Sequence, residues 1–201
     1  MTVANITPEL IKINQIITHE DIDIVNLNKV INCIRKNKEI IPIIIDEESF
    51  MVIDGHHRFY AMKLLGFSKI PAYLINYRKD YVKVNKWFRK IVFSKGSNVD
   101  RILSLIIPNT EGKVCIKFFS RKFCSNSEYT LYWKLNIIEK YLLSIGVNVI
   151  KNPKEGIEPP SLDKEYVLSI AKKGLRFPPK TTRHSYEFII PSYRISLNEF
   201  V

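Results

Sequence analysis

The stretch Asp54-Gly55-His56-His57-Arg58 places two adjacent histidines and an arginine directly after a glycine, at the start of the apolar-periodic segment His56–Leu65. A helix N-terminus carries unpaired N–H groups and a partial positive charge, and it binds phosphate oxygens readily. Gly55 lets backbone approach a ligand without a side-chain clash. His57 and Arg58 add donors, and a guanidinium can grip phosphate as a fork. Asp54 is a poor phosphate ligand by itself and makes sense if it holds Mg²⁺ or orients a histidine. Residues 54–58 therefore predict a phosphate cradle. A helix capped by Asp54, with polar residues in its first turn, would give the same local pattern. Adjacent helical residues point about 100° apart, so His56 and His57 are not expected to share one metal ion.

Two further segments carry chemistry. From Thr18-His19-Glu20-Asp21 onward, three carboxylates (Glu20, Asp21, Asp23) lie within four residues, and one of them could act as a general base tuned by His19. An acid-rich entry to a helix reads the same way. In Pro178-Pro179-Lys180-Thr181-Thr182-Arg183-His184, two prolines stiffen the approach to a dense set of anion donors. The chain has four histidines, and all of them fall in these three segments. The segments are therefore expected to converge, with acid on one side of a cavity and donors on the other. Trp87, in a basic stretch, could wall a ligand pocket or simply pack in a core.

The elements that must position these residues follow from periodicity. Leu27, Val30, Ile31 and Ile34 predict a helix over 27–36. "IIPIII" reads as a buried strand, Asp46–Ser49 as a turn and "FMVID" as its hairpin partner. The helix from His56 ends at Gly66, and "IPAYLI" is a further strand. The first 75 or so residues thus form an α/β unit with a mixed sheet. The segment 76–90 predicts a basic helix. Farther on, "KVCIKFF" and "VNVI" read as strands, and Ser127–Ile145 as a helix with Leu131, Leu135, Ile138, Leu142 and Ile145 on one face. Ser161 is expected to cap a helix running to Lys173. "RFPPKTTRHS" reads as a rigid loop, with final strands in "YEFIIP" and "YRISL".

Composition sets the class. The 201 residues are 46% hydrophobic and 25% charged, with a net charge of +11. That is an ordinary globular balance with a basic surface suited to a polyanionic partner such as a nucleic acid or a nucleotide phosphate. Cys33, Cys115 and Cys124 are odd in number and form no CxxC, which argues against both a disulfide framework and a zinc ribbon. The N-terminal residues lack a signal-peptide pattern, and no apolar run approaches the ~20 residues that span a bilayer. A cytoplasmic protein with no membrane partner is expected.

The strand–"IDGHHRFYAMKLLG"–"KIPAYLI" order is similar to the ParB/sulfiredoxin fold. With the upstream "HE" and the downstream "PPKTTRH", it resembles the free L-serine kinases, which phosphorylate the hydroxyl of L-serine with ATP or ADP. The resemblance implies a ParB/sulfiredoxin-like nucleotide-binding domain over 1–78. It also implies a C-terminal α/β region over 79–201 that closes the active-site cleft and contributes the substrate loop. It implies that Glu20 is the catalytic base, acting with Asp54 and His57, and that Asp54, Gly55, His56, His57 and Arg58 hold the nucleotide phosphates, with Mg²⁺ on Asp54. Trp87, Thr181, Thr182, Arg183 and His184 would hold the substrate. A ParB-type DNA-binding regulator is the rival, favoured by the charge and by the basic stretch from Arg78 to Lys90. Sulfiredoxin needs a reactive cysteine where this chain has His56. A non-catalytic nucleotide-binding module would leave Glu20 and the Thr-Thr-Arg-His loop without a purpose.

Overall fold

A computed structural model describes residues 2–4, 6–92, 101, 105, 107, 109–118 and 121–199. The chain forms two compact units. Unit 1 comprises Met1–Val84, Asp163–Pro179 and His184–Val201, and unit 2 comprises Asn85–Leu162 and Lys180–Arg183.

Unit 1 is built on a four-stranded mixed sheet. Its strands are β1 (Glu9–Lys12), β3 (Ile43–Asp46), β4 (Val52–Asp54) and β5 (Lys69–Ile75), in the order β1-β5-β3-β4. β3 and β5 are parallel, with Ile43 opposite Ala72, and the other pairings are antiparallel. All four residues of β3 are buried, which is why it reads as an unbroken apolar run rather than an alternating one. Helices α1 (Ile24–Asn37) and α2 (His56–Leu64) supply Leu27, Ile34, Phe59 and Met62 to the same core as Ile43, Ile45, Val52 and Ile70. Each such side chain, fully buried, contributes roughly 1.5–3 kcal/mol.

The run "IIPIII" is not one strand. β2 (Glu39–Ile40) ends before Pro42, whose missing N–H cannot join a ladder, and β2 pairs instead with β12 (Ile195–Ser196). Of the two strands expected near the C-terminus, "YRISL" is β12 followed by a short 3-10 turn, Leu197–Glu199. In "YEFIIP", Ile189 forms only an isolated bridge with Val3. Helix α4 (Lys164–Lys172) is capped by Asp163, whose side chain accepts from Tyr166 N, and not by Ser161. Asp163 sits immediately before the first helical residue, where a cap must be.

The basic helix expected over 76–90 does not form. Val82–Lys86 is strand β6 and Phe88–Val92 is strand β7. Val82 is buried, Lys83 exposed, Val84 half-buried and Asn85 exposed, a period of two that suits a strand. In unit 2, β7 pairs antiparallel with β10 (Asn148–Asn152). β8 (Val114–Phe118) and β9 (Arg121–Ser125) form a hairpin in which Cys115 faces Cys124, and a disulfide joins them. Cysteine number and spacing argue against a disulfide framework and give no sign of this single bridge, because "RKFCS" is a strand that brings Cys124 back across from Cys115. Cys33 is a free, exposed thiol. Helix α3 (Glu128–Ser144), capped by Ser127, buries Leu131, Leu135, Ile138 and Leu142 against Ile107, Ile116 and Phe123. Ile145, expected on the same face, is the C-cap residue and is exposed.

The segment expected to be a rigid loop contains β11 (Thr182–Tyr186). Among the described residues no helix is long and apolar enough to cross a membrane.

Candidate active site

The turn that opens α2 is set by Gly55. Its φ of +100° lies in the left-handed region that side-chain-bearing residues avoid. Gly55 itself is the N-cap and offers no side-chain acceptor to the first helical turn. Asp54 is therefore not the cap. Its Oδ2 accepts from the Arg58 guanidinium at 2.6 Å instead. A Cβ on Gly55 would lie 2.6 Å from Ile43 Cγ2 and 2.9 Å from Arg58 Nη2. Gly55→Ala is thus expected to distort the turn and displace Arg58 together. The positive φ alone costs of order 1–3 kcal/mol, and we expect a lower melting temperature with at least tenfold weaker ADP binding, roughly 1.4 kcal/mol or more. Calorimetry checks both, and wild-type affinity would refute the role of the turn.

His57 reaches the start of α1. Its Nε2 accepts from the backbone N–H of Asp23, 3.1 Å away, at the N-cap of α1. His56 is buried, at 8% exposure, and its ring meets the ring of His19 edge-on, with centroids 4.6 Å apart. His19 in turn meets His184, with centroids 5.5 Å apart. The His184 Nε2 lies 3.1 Å from the Tyr77 hydroxyl. Three of the four histidines, 165 residues apart in sequence, are thus in one ring-to-ring chain within unit 1.

These three rings are neutral at pH 7. Burial lowers His19 well below its usual value, and the neighbouring His184 adds to the effect against a hydrogen bond to the Val52 backbone. Burial, then His19, His57 and Arg58, lower His56 in the same way. Burial, then His56, push His184 down to about 3, opposed by a backbone hydrogen bond to Ile53. Lowering by burial reflects the cost of charge in a poorly solvated place. The histidines therefore supply polar heads without charge, and Arg58 is the cation at this turn.

Of the three candidate bases, the structure separates one from the others. Asp23 caps α1 by accepting from Asn26 N at 2.8 Å and is exposed. Asp21 accepts from Ile22 N at 3.0 Å and lies 3.8 Å from Arg176. Glu20 is buried, at 8% exposure. It is held by a backbone bridge to Phe177, with Asp21 N donating to Phe177 O and Phe177 N to His19 O, each at 2.8 Å. Its charge reaches Tyr77, whose hydroxyl is pushed up chiefly by burial, then by Tyr186, Asp46 and Glu20. Glu20, Tyr77 and His184 are therefore neighbours.

The remaining expected site residues lie in unit 2. Thr181 and Thr182 are buried, and Trp87 Nε1 donates to Thr182 O at 3.0 Å. The Arg183 guanidinium sits 5.7 Å from the centre of the Trp87 ring. Unit 1 thus gathers Glu20, residues 54–58 and His184, and unit 2 gathers Trp87 with Thr181, Thr182 and Arg183. Tyr77 and Tyr186 were not anticipated. Their signal was faint: one follows β5 by two residues, and the other follows His184 by two.

The basic stretch that favoured DNA binding is largely neutralised. Arg78 pairs with Glu48 and Glu165, and Lys83 with Glu187. Lys86 pairs with Glu158, Arg89 with Glu139, and Lys90 with Glu155. Of the six basic residues from Arg78 to Lys90, only Lys79 is outside these pairs.

Residues 1–84 match the family model of the ParB N-terminal domain. Over 197 residues the chain is 39% identical to a ParB-like protein of Sulfolobus acidocaldarius, covering 96% of this chain and 98% of that one. The chain belongs to the ParB-like protein family. The chain is also 28% identical over 225 residues to an ATP-dependent L-serine kinase of Staphylothermus marinus, covering 93% of this chain and 88% of that one. Its fold is that of a free serine kinase solved in complex with AMP, with a TM-score of 0.80 at 18% identity over 100% and 96% of the two chains. The α/β fold with a mixed sheet, and the resemblance to the serine kinases, are both found.

Proposed function

We propose that this ParB-like protein is a free L-serine kinase that transfers a phosphoryl group from ATP or ADP to the serine hydroxyl. The observation that carries the reading is the contact of His19 with both His56 and His184, which brings the Glu20 segment to the Gly55 turn. The likeness to the serine kinases supports it.

The serine hydroxyl attacks the terminal phosphorus of the nucleotide. Its proton passes to Glu20, and the bond from phosphorus to the bridging oxygen breaks. The products are O-phospho-L-serine and the nucleotide shortened by one phosphate. A hydroxyl is a weak nucleophile near neutrality, so a positioned base is needed, and a buried carboxylate beside neutral rings suits that work. The phosphoryl group spreads negative charge over its oxygens in the transition state. Arg58 and the backbone N–H groups of the first turn of α2 answer that charge. Asp54 has an exposed side chain next to the turn, and Mg²⁺ is ordinarily held by one or two carboxylates plus phosphate oxygens and water, so the residue fits the ion. When bound, Mg²⁺ neutralises charge on the phosphate oxygens. Trp87, Thr181, Thr182, Arg183 and His184 are assigned to the amino acid and its carboxylate.

Mixing the protein with Mg²⁺, L-serine and either nucleotide should give phosphoserine, detected by mass spectrometry. Threonine and homoserine serve as controls. No phosphoserine with either donor would overturn the reading.

A further inference from the structure

Beside the Gly55 turn, two buried polar atoms have no hydrogen-bond partner among the described residues, His56 Nε2 and the Tyr186 hydroxyl. Buried polar atoms are nearly always satisfied, and an exception calls for an explanation. Tyr186 follows His184 by two residues on β11, and His184 meets His19, which meets His56 in the first turn of α2. Asp54 and Arg58, the ion pair of the turn, both act on the Tyr186 hydroxyl, in opposite directions, after burial itself. Tyr77, whose hydroxyl is pushed up partly by Tyr186, lies 3.1 Å from His184 Nε2. On β11, side chains two residues apart share a face, so Tyr186 stands beside His184. Burial and Asp54 both hold the phenol protonated, which makes it a hydrogen-bond donor. A carboxylate that Arg58 already occupies does not use that donor, but an incoming anion can.

We propose that Tyr186 is a further nucleotide-binding residue, whose hydroxyl donates to a phosphate oxygen seated at the Gly55 turn next to the buried His56 imidazole. The proposal rests on the nucleotide half of the function above and is independent of the acceptor.

The test is Tyr186→Phe, with ADP and ATP titrated calorimetrically in the presence of Mg²⁺, thermal melting without nucleotide, and phosphoserine formation. A hydroxyl without a partner contributes nothing to the unliganded fold, so the variant should melt at or above the wild-type temperature. Loss of one hydrogen bond to a charged group should weaken ADP binding by roughly 10- to 100-fold, while the KM for L-serine changes far less. Wild-type ADP affinity in the variant, a loss confined to L-serine, or a melt well below wild type would each overturn the proposal. Failure of the wild-type protein to bind either nucleotide would do the same. Wild-type protein that binds ADP but makes no phosphoserine would remove the kinase reading alone, and the ADP titration of the variant would still decide the role of Tyr186.

Discussion

Glu20→Gln is expected to lower the turnover of L-serine by about 10²–10⁴-fold, the usual contribution of a general base, with ADP affinity within about twofold of wild type. The amide keeps the size of the side chain and cannot take a proton. The backbone bridge to Phe177 that fixes its position is untouched, because no side-chain atom takes part in it. The effect should therefore fall on kcat rather than on nucleotide binding, the signature of an interaction used in the transition state. Asp21→Asn is the control, since Asp21 is spent on a local N–H and on Arg176 at the surface. Steady-state phosphoserine formation and calorimetry with ADP give both quantities. Lost ADP binding with turnover intact would reverse the assignment, and equal effects at positions 20 and 21 would remove the distinction between them.

The second large effect is expected in unit 2. Glu139 is buried and faces two cations, with Arg89 Nε 2.7 Å from Oε1 and Lys151 Nζ at Oε2. Arg89 is 1% exposed, donates to the Trp87 carbonyl and lies over the Tyr132 ring. Removing the carboxylate leaves the Arg89 charge buried without compensation. Glu139→Ala should cost about 3–5 kcal/mol, a fall in melting temperature of roughly 6–20 °C for a chain of this size. The three replaced together, Arg89→Met, Glu139→Leu and Lys151→Met, should recover much of that loss, because an apolar cluster avoids the desolvation of all three ions. Thermal melts of the two variants provide the check. A single variant that melts within a degree or two of wild type would show that the network carries no stability. The single variant should also disturb Trp87, whose carbonyl Arg89 holds, and so weaken L-serine use.

The parts of the fold that sequence made legible are those whose pattern is local. The apolar faces of α1, α2 and α3 repeat at helical spacing, and β5 is a long apolar run between turn residues. What escaped depends on distant partners. β6, β7 and β9 are five-residue strands rich in lysine and arginine, and each is stabilised by pairing that local reading does not supply. Without a view of Glu48, Glu139, Glu155 and Glu158, the cations of 78–90 read as a free basic surface. The disulfide was hidden for the same reason, since cysteines nine positions apart become a cross-strand pair only when β9 is known. At the site, the histidine count pointed to one place, and three of the four rings meet there. The fourth, His57, accepts from Asp23 N, a backbone partner with no sequence signature. Tyr77 and Tyr186 carry little local signal, because a tyrosine in a strand or just beyond one reads as packing until its hydroxyl is seen to be buried.

Unit 1 is made of three pieces of chain, with the first and last joined by the β2–β12 pairing and the bridge between Val3 and Ile189. A fragment ending at residue 84 would therefore be missing His184, the Phe177 clasp on Glu20, and Leu197 from its core. The sequence module shared with ParB proteins is thus shorter than the body that folds around the histidines. Natural variation in length is best absorbed between residues 85 and 162, where an excursion can grow or shrink while both of its ends remain anchored.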